Sequence, residues 1–283
     1  MKKQFWTDLW WLMVYAFVGL LLVCGAMLAI MGLTQGTLAM HLVQWAQTLL
    51  LMIVPPVLWV KWYKKERVCE TLRLRMPAWK PMLWAAVLMT VSLPWLSAVE
   101  SGTAALCDAW LPEALRLWAK DMLSEQEAAI AMLTNVHGVA GWAELIGLMC
   151  IGTAIGEEMM FRGALLRCFW KPEADGGVRP TMTASKLFWT ACWVGLAFSA
   201  IHMDLYGLVT RWLLGALFVY IVYWTGSLWP AIAAHATNNL WALIQMKAAP
   251  TWMERLEGVV PVAISILLSA AVLVWWVRKC ERD

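Results

Sequence analysis

The sequence predicts an all-α protein, a polytopic bundle of about eight membrane-spanning helices. The first observation is composition: 62% of the residues are hydrophobic and 14% are charged, whereas a soluble domain has about half apolar and a quarter charged residues. The second is length, because several apolar stretches run for about 18 or more residues, enough to cross roughly 30 Å of hydrocarbon. The third is the presence of 22 tryptophans, whose indole rings favour the boundary between lipid and water.

The predicted spans follow from windows of apolar residues. The fourth is longer than a bilayer requires, so we expect it to be tilted, to extend beyond the lipid, or to be broken near Gly147–Gly156. The spans are expected near residues 9–32, 42–61, 81–99, 139–170, 183–203, 207–225, 228–246 and 259–277.

Basic residues are concentrated in segments that this span count places on one side of the membrane. Lysine and arginine accumulate on the cytoplasmic side. We therefore expect a multi-pass membrane protein with both termini in the cytoplasm. The basic segments are Lys2-Lys3, the 61–80 connection (Lys61, Lys64, Lys65, Arg67, Arg73, Arg75 and Lys80), Lys171 to Lys186, and Arg278-Lys279.

The long connection at 100–136 is expected on the outward side. Its Leu111, Leu115, Trp118 and Met122 recur at helical spacing, which predicts a helix that lies in the membrane interface. The chain then divides into N-terminal spans with this outward interfacial helix (1–136), a core that carries the unusual ionisable residues (137–246), and a C-terminal span with its tail (247–283).

Ionisable residues cluster within the fourth span. An ionised group in a spanning helix costs on the order of 2.5–3.5 kcal/mol on insertion scales, so such groups usually pair or do chemistry. Glu158 and Arg162 are four residues apart and share a helix face, which predicts a structural ion pair. Glu157 lies about 100° round the helix and lacks that partner, so it is the candidate for chemistry.

Two histidines join this cluster. His202 closes the fifth span and His235 lies within the seventh. With a rise of about 1.5 Å per residue, Glu157, His202 and His235 lie roughly 20, 28 and 12 Å from the cytoplasmic side. We therefore expect that tilt or a broken helix brings them together.

Two chemistries suit these side chains. A carboxylate and an imidazole around one water make a general-base site, and His235 with Asn239, four residues on, can donate hydrogen bonds to a developing oxyanion. Equally, Glu157, His202 and His235 are a ligand set for a catalytic zinc ion that leaves one position open. The HExxH pattern of the common zinc proteases is absent.

Three motifs occur in order on separate spans: Glu157-Glu158-x-x-x-Arg162, Phe198-x-x-x-His202 and His235-x-x-x-Asn239. Together they resemble the motifs of the CPBP family, the CAAX-processing and bacteriocin-processing intramembrane proteases, also called the Abi family. The resemblance covers about residues 145–245. It extends to the flanking segments Phe161-Arg162-Gly163 and Thr225-Gly226-Ser227-Leu228-Trp229-Pro230-Ala231-Ile232.

This resemblance implies an eight-span bundle with an active-site cavity inside the membrane. It also implies hydrolysis of a peptide bond in a membrane-associated peptide or prenylated substrate. Glu157 would be the general base, with His202 helping to activate the water. His235 and Asn239 would form the oxyanion hole, while Glu158 and Arg162 would support the site.

Members of the family have been described both as metalloproteases and as metal-free glutamate proteases. Because His235 is paired with an amide, which suits an oxyanion better than a cation, we favour the metal-free form and assign no cofactor. Zinc held by Glu157, His202 and His235 is the alternative. The expected partners are the lipid bilayer and a peptide or protein substrate at the membrane, with no nucleic acid.

Two other functions are open to such a chain. A non-catalytic membrane protein of the same fold, such as a bacteriocin self-immunity factor or a regulatory scaffold, would bind a partner through the cavity. A transporter or proton channel needs a continuous polar path, and many have inverted repeats, but spans one, two, three and eight are nearly free of titratable groups. The compact connections favour a bacterial protein of the cell inner (plasma) membrane. The intramembrane endopeptidase is the function that the residues favour.

Overall fold

The computed structural model describes residues 2–170, 182–248 and 258–280. Within these ranges all regular structure is helical and no residue lies in a β-strand, which confirms the predicted all-α class. The helices are α1 (Lys2–Leu33), α2 (Gly36–Lys64), α3 (Val68–Thr71), α4 (Trp79–Trp110), α5 (Glu113–Leu133), α6 (Gly138–Phe169), α7 (Ala184–Ala200), α8 (Leu208–Thr225), α9 (Trp229–Ala248) and α10 (Val259–Cys280).

Six of the described helices are long and apolar enough to cross a membrane: α1, α2, α4, α6, α8 and α10. The chain is therefore a polytopic membrane protein. Helix α7 has 17 residues, and α9 contains the polar run from His235 to Asn239 within its 20 residues. These two helices lie where the fifth and seventh spans are predicted, and their crossing of the membrane remains a prediction.

Helix α4 is longer than the predicted third span. The apolar window ends near residue 99, but the helix continues to Trp110, because a polar residue such as Glu100 ends an apolar window without ending a helix. The helix ends where Leu111, the residue before Pro112, takes an extended conformation with φ −72° and ψ 139°. The predicted 100–136 connection is thus the end of α4 followed by α5, and Leu111 is wrongly placed on the interfacial helix.

Helix α5 carries the rest of the predicted apolar face. Leu115 and Trp118 remain 41% and 38% exposed, so the protein itself does not cover this face. Ala119 and Leu133 are buried and attach α5 to the bundle. The position of α5 in the membrane interface remains a prediction.

Helix α6 runs without a break from Gly138 to Phe169, so the alternative of a broken fourth span is wrong. Two of its segments, Ile146–Gly152 and Met159–Leu165, are π-helical. A π-helix has wider turns than an α-helix, and such segments occur frequently at functional sites. Here they lie on either side of Glu157 and Glu158.

Two glycines bring α6 close to α2. An added Cβ would lie 3.1 Å from Trp45 Cζ3 at Gly152 and 3.0 Å from Met52 Cβ at Gly156. Small residues allow this close packing of helices within membranes. The approach places Glu157 beside the middle of α2.

Helices α7 and α8 form an antiparallel pair that touches at two glycines. A Cβ added to Gly195 would lie 2.6 Å from the carbonyl oxygen of Trp212, and one added to Gly215 would lie 2.6 Å from Gly195 Cα. The backbones therefore meet where no side chain fits. This contact fixes the position of Phe198 on α7 relative to the carbonyl group of Gly215 on α8.

The basic connection between α2 and α4 holds the start of α9. Three carbonyl oxygens of this connection accept hydrogen bonds of 2.9–3.0 Å from residues at or just before the start of α9. Leu228 N donates to Arg73, Trp229 Nε1 donates to Leu74, and Ser227 Oγ donates to Arg75. The predicted orientation also rests on the basic segment from Lys171 to Lys186. Its first residues, including Lys171, lie outside the described residues.

Candidate active site

Glu158 and Arg162 form the ion pair that their spacing predicts. Arg162 Nη1 donates to Glu158 Oε1 at 2.8 Å, and both side chains are fully buried. A buried pair is stable only when further hydrogen bonds compensate for lost hydration, and Arg162 Nη2 donates to the carbonyl oxygen of Gly215 at 3.0 Å. The rings of Phe198 and Phe218 lie 4.5 and 5.1 Å from the guanidinium carbon. The pair therefore ties α6 to α8 in an aromatic, water-poor setting.

His235 reaches the same carboxylate from α9. Its Nδ1 lies 2.8 Å from Glu158 Oε1, and its Nε2 lies 3.6 Å from Glu157 Oε2. Because a carboxylate paired with Arg162 acts as an acceptor, Nδ1 donates the proton of the shorter contact. Phe218 stacks on the imidazole with 5.4 Å between ring centres. His235 thus lies between the two carboxylates, bonded to one and just beyond hydrogen-bond distance of the other.

Glu157 has a carboxylate oxygen that is not bonded. Its Oε2 is buried and has no hydrogen-bond partner among the residues that the structure describes. The side chain lines a largely apolar cavity of about 500 Å³ between α1, α2 and α6. A buried acceptor without a partner costs free energy, so this oxygen is suited to bind a water molecule or a substrate group.

His202 lies just beyond the end of α7 and lines the same cavity as Glu157. Its Nδ1 lies 2.8 Å from the carbonyl oxygen of Phe198. A carbonyl oxygen only accepts, so Nδ1 carries the proton of this bond and Nε2 of the neutral ring offers a lone pair. The expected convergence of the two residues on one space is therefore present.

The 201–207 connection that carries His202 is braced on two sides. Gln126 Nε2 of α5 donates to the carbonyl oxygen of His202 at 2.9 Å. Asp204 accepts hydrogen bonds from the backbone N–H groups of Tyr206 and Gly207, at 2.9 and 3.2 Å, and pairs with Arg211. Burial alone raises the pKa of Asp204, but the hydrogen bonds and the positive charge of Arg211 outweigh it and hold this pKa below its ordinary value.

Asn239 lies one turn after His235 on α9. Its Nδ2 donates to the carbonyl oxygen of Met149 at 3.1 Å, in the first π-helical segment of α6. The side chain does not belong to the lining of the cavity that Glu157 faces. An amide has two donor hydrogens, so one remains for another acceptor, and its oxyanion role stays a prediction.

The zinc alternative can be tested on the arrangement of the side chains. No group of three His, Cys, Asp or Glu side chains in the described ranges is placed to hold a metal ion. Nε2 of His235 lies 3.6 Å from Glu157 Oε2. The described side chains are therefore not gathered into a three-residue ligand set, and zinc held by Glu157, His202 and His235 remains the alternative prediction.

Several residues of the site are not predicted from the sequence. Gln44, Gln47 and Thr48 line the cavity, and polar residues at positions i, i+3 and i+4 of an apolar span are a signal that could have found them. Gly215 and Phe218 have no such signal, because each is an ordinary residue within an apolar helix.

The comparisons with known proteins give one match. A family model described as type II CAAX prenyl endopeptidase, Rce1-like, matches residues 140–241, the region that contains all three motifs. No curated protein and no solved structure matches the chain. The match at 140–241 confirms the resemblance that the motifs predict.

Proposed function

We propose that the protein is an intramembrane endopeptidase in which Glu157 activates a water molecule together with His202. The observation that carries this proposal is Glu157 Oε2, a buried carboxylate oxygen without a hydrogen-bond partner in the described ranges. The Glu157 side chain lines one cavity with His202, whose Nε2 is left as an acceptor. A carboxylate and an imidazole acceptor facing one space suit a water molecule with two hydrogens.

The reaction follows from these positions. Glu157 takes a proton from the water while the water oxygen bonds to the carbonyl carbon of the scissile peptide. His202 Nε2 accepts a hydrogen bond from the second hydrogen and orients the water. Glu157 then returns its proton to the leaving nitrogen, and the carbon–nitrogen bond breaks. No step requires a metal ion.

His235 and Asn239 would stabilise the oxyanion that forms in the first step. His235 Nδ1 is held by Glu158, so the ring is fixed in orientation and its Nε2 edge points towards Glu157. When the ring is an imidazolium, Nδ1 donates to Glu158 and Nε2 donates to the oxyanion, and Asn239 retains one free N–H. Glu158 and Arg162 act through His235 by holding it in place.

The substrate would be a peptide presented at the membrane. The cavity is lined by apolar side chains such as Leu12, Met13, Leu51 and Ile201, which suit a lipid-modified or apolar peptide. The name of the matching family adds the prenylated CAAX peptide as the substrate class to test first. The charge distribution supports cytoplasmic termini, and the compact connections support the inner (plasma) membrane of a bacterium.

Cleavage of an internally quenched S-farnesyl peptide ending in a CAAX sequence tests this function. We expect Glu157→Gln and His202→Ala to lower kcat by at least roughly 100-fold, the scale of a lost general base. Glu125→Gln on the exposed side of α5 is the matched control and should cleave as wild type does. Undiminished cleavage by both site variants, with folding verified by thermal unfolding, would rule the proposal out.

A further inference from the structure

A second cavity of about 520 Å³ lies next to the one that Glu157 faces. Its walls come from the end of α1, the start of α2 and the end of α5, and they include Met27, Met31, Met40 and Met132. Both cavities fall within the 300–1,000 Å³ that is typical of ligand pockets. Methionine adapts its shape to varied apolar groups, so this cavity suits a ligand with variable side chains.

Gln44 and Gln47 line both cavities. They lie three residues apart on α2 and therefore share one helix face. We call this pair the glutamine neck, because a chain that extends from one cavity into the other passes these two amides. Glu157 lines the first cavity together with the glutamine neck. A substrate whose scissile peptide bond lies at Glu157 therefore passes close to the two glutamines.

The neck has unused hydrogen-bonding capacity. Helix α2 is one of the six helices able to span the membrane, and neither glutamine amide has a hydrogen bond among the described residues. Amide groups without partners are costly away from water. A ligand that supplies both donors and acceptors would remove this cost.

We infer that the second cavity binds an extended peptide segment of the substrate, and that Gln44 and Gln47 bind the backbone of that segment as it leaves the scissile bond. This inference rests on the proposed function. Each carboxamide offers donors and an acceptor, which complement a peptide group, whereas a prenyl or acyl chain offers neither. The amides therefore favour a peptide over a lipid tail at this position.

The same cavity sets a preference among peptides. None of the residues that line it is charged, so an acidic or basic side chain in the segment would lose its hydration without gaining a partner. The enzyme should therefore favour substrates that carry uncharged residues on this side of the scissile bond. Substrates cut short on this side should bind less tightly.

The first test compares the full-length double variant Gln44→Leu/Gln47→Leu with wild type on the S-farnesyl CAAX peptide. Loss of two neutral hydrogen bonds to bound substrate should raise KM roughly tenfold and leave kcat within about twofold. Gln245→Leu makes the same chemical change on α9, at an exposed position that lines neither cavity, and should leave both constants unchanged. An unchanged KM would overturn the inference. If kcat falls while KM stays unchanged, the two glutamines supply water to the reaction instead of binding the substrate.

A second measurement does not depend on the fold of that double variant. In Glu157→Gln protein, a peptide with benzophenone in the uncharged segment should crosslink to Met31 or Met132, and an aspartate placed in that segment should abolish the crosslink. Crosslinks elsewhere would contradict the inference while leaving the proposed function intact. Failure of the wild type to cleave any of these peptides would instead contradict the proposed function.

Discussion

His235 Nδ1 lies 2.8 Å from Glu158 Oε1, the carboxylate oxygen that also accepts from Arg162. One oxygen thus joins an ion pair within α6 to a candidate catalytic side chain on α9. The sequence motifs place these residues on separate spans, and this contact explains why a structural pair belongs to the same motif set as the reacting groups. In the proposed mechanism, Glu158 positions His235 and takes no part in the reaction.

The variant Glu158→Gln should be strongly destabilised. It leaves the fully buried guanidinium of Arg162 without its counter-charge, and breaking a buried pair costs about 3–5 kcal/mol. The double variant Glu158→Leu/Arg162→Met replaces both charges with apolar groups and should be close to wild type in thermal unfolding in detergent, yet inactive because His235 loses its acceptor. A double variant that cleaves normally would show that the contact with Glu158 does not position His235.

The variant Gly215→Ala should separate α7 from α8. Its Cβ would lie 2.6 Å from Gly195 Cα, and overpacking of this kind costs about 1–3 kcal/mol. It would also shift the carbonyl group that binds Arg162, so we expect a lower unfolding temperature together with lower kcat. Gly25→Ala is the control, since nothing lies within 4 Å of its added Cβ. Equal unfolding temperatures of the two variants would contradict this prediction.

The variant Asp204→Asn should change how stability depends on pH. The pKa of Asp204 in the folded protein lies below its ordinary value, so its contribution is fully present above about pH 3.9, the ordinary pKa of aspartate. The contribution is lost as the pH falls through the lower pKa of the folded state. Unfolding followed between about pH 2 and 7 should show a weaker acid dependence in the variant than in wild type. Identical pH profiles would rule out this role.

Metal analysis of the purified protein should find less than stoichiometric zinc, and a chelator should leave cleavage unchanged. The reason is that Glu157, His202 and His235 are not gathered into a three-residue ligand set in the described part of the chain. Zinc bound in a one-to-one ratio and lost in His235→Ala would contradict this prediction and favour the metal alternative.

The all-α class, the apolar spans and the Glu158–Arg162 pair could be predicted because each depends on local spacing. An apolar stretch of sufficient length forms a membrane helix wherever it lies in the chain. Residues four apart share a helix face in any helix. The three motifs are equally local, and they indicate Glu157, His202 and His235 without reference to tertiary contacts.

Only the tertiary structure decided how these residues meet. Straight helices place Glu157 and His235 at different depths, but the π-helical segment Met159–Leu165 lies between Glu157 and the end of α6. A π-helix has a smaller rise per residue than an α-helix. The distance along the axis from Glu157 to the end of α6 is therefore shorter than the α-helical rise predicts. The contact of Asn239 with Met149, the cavity and the glutamine neck likewise depend on helix tilt and on close packing at glycines. Such contacts are set by the relative positions of several helices, which no local pattern in one of them specifies.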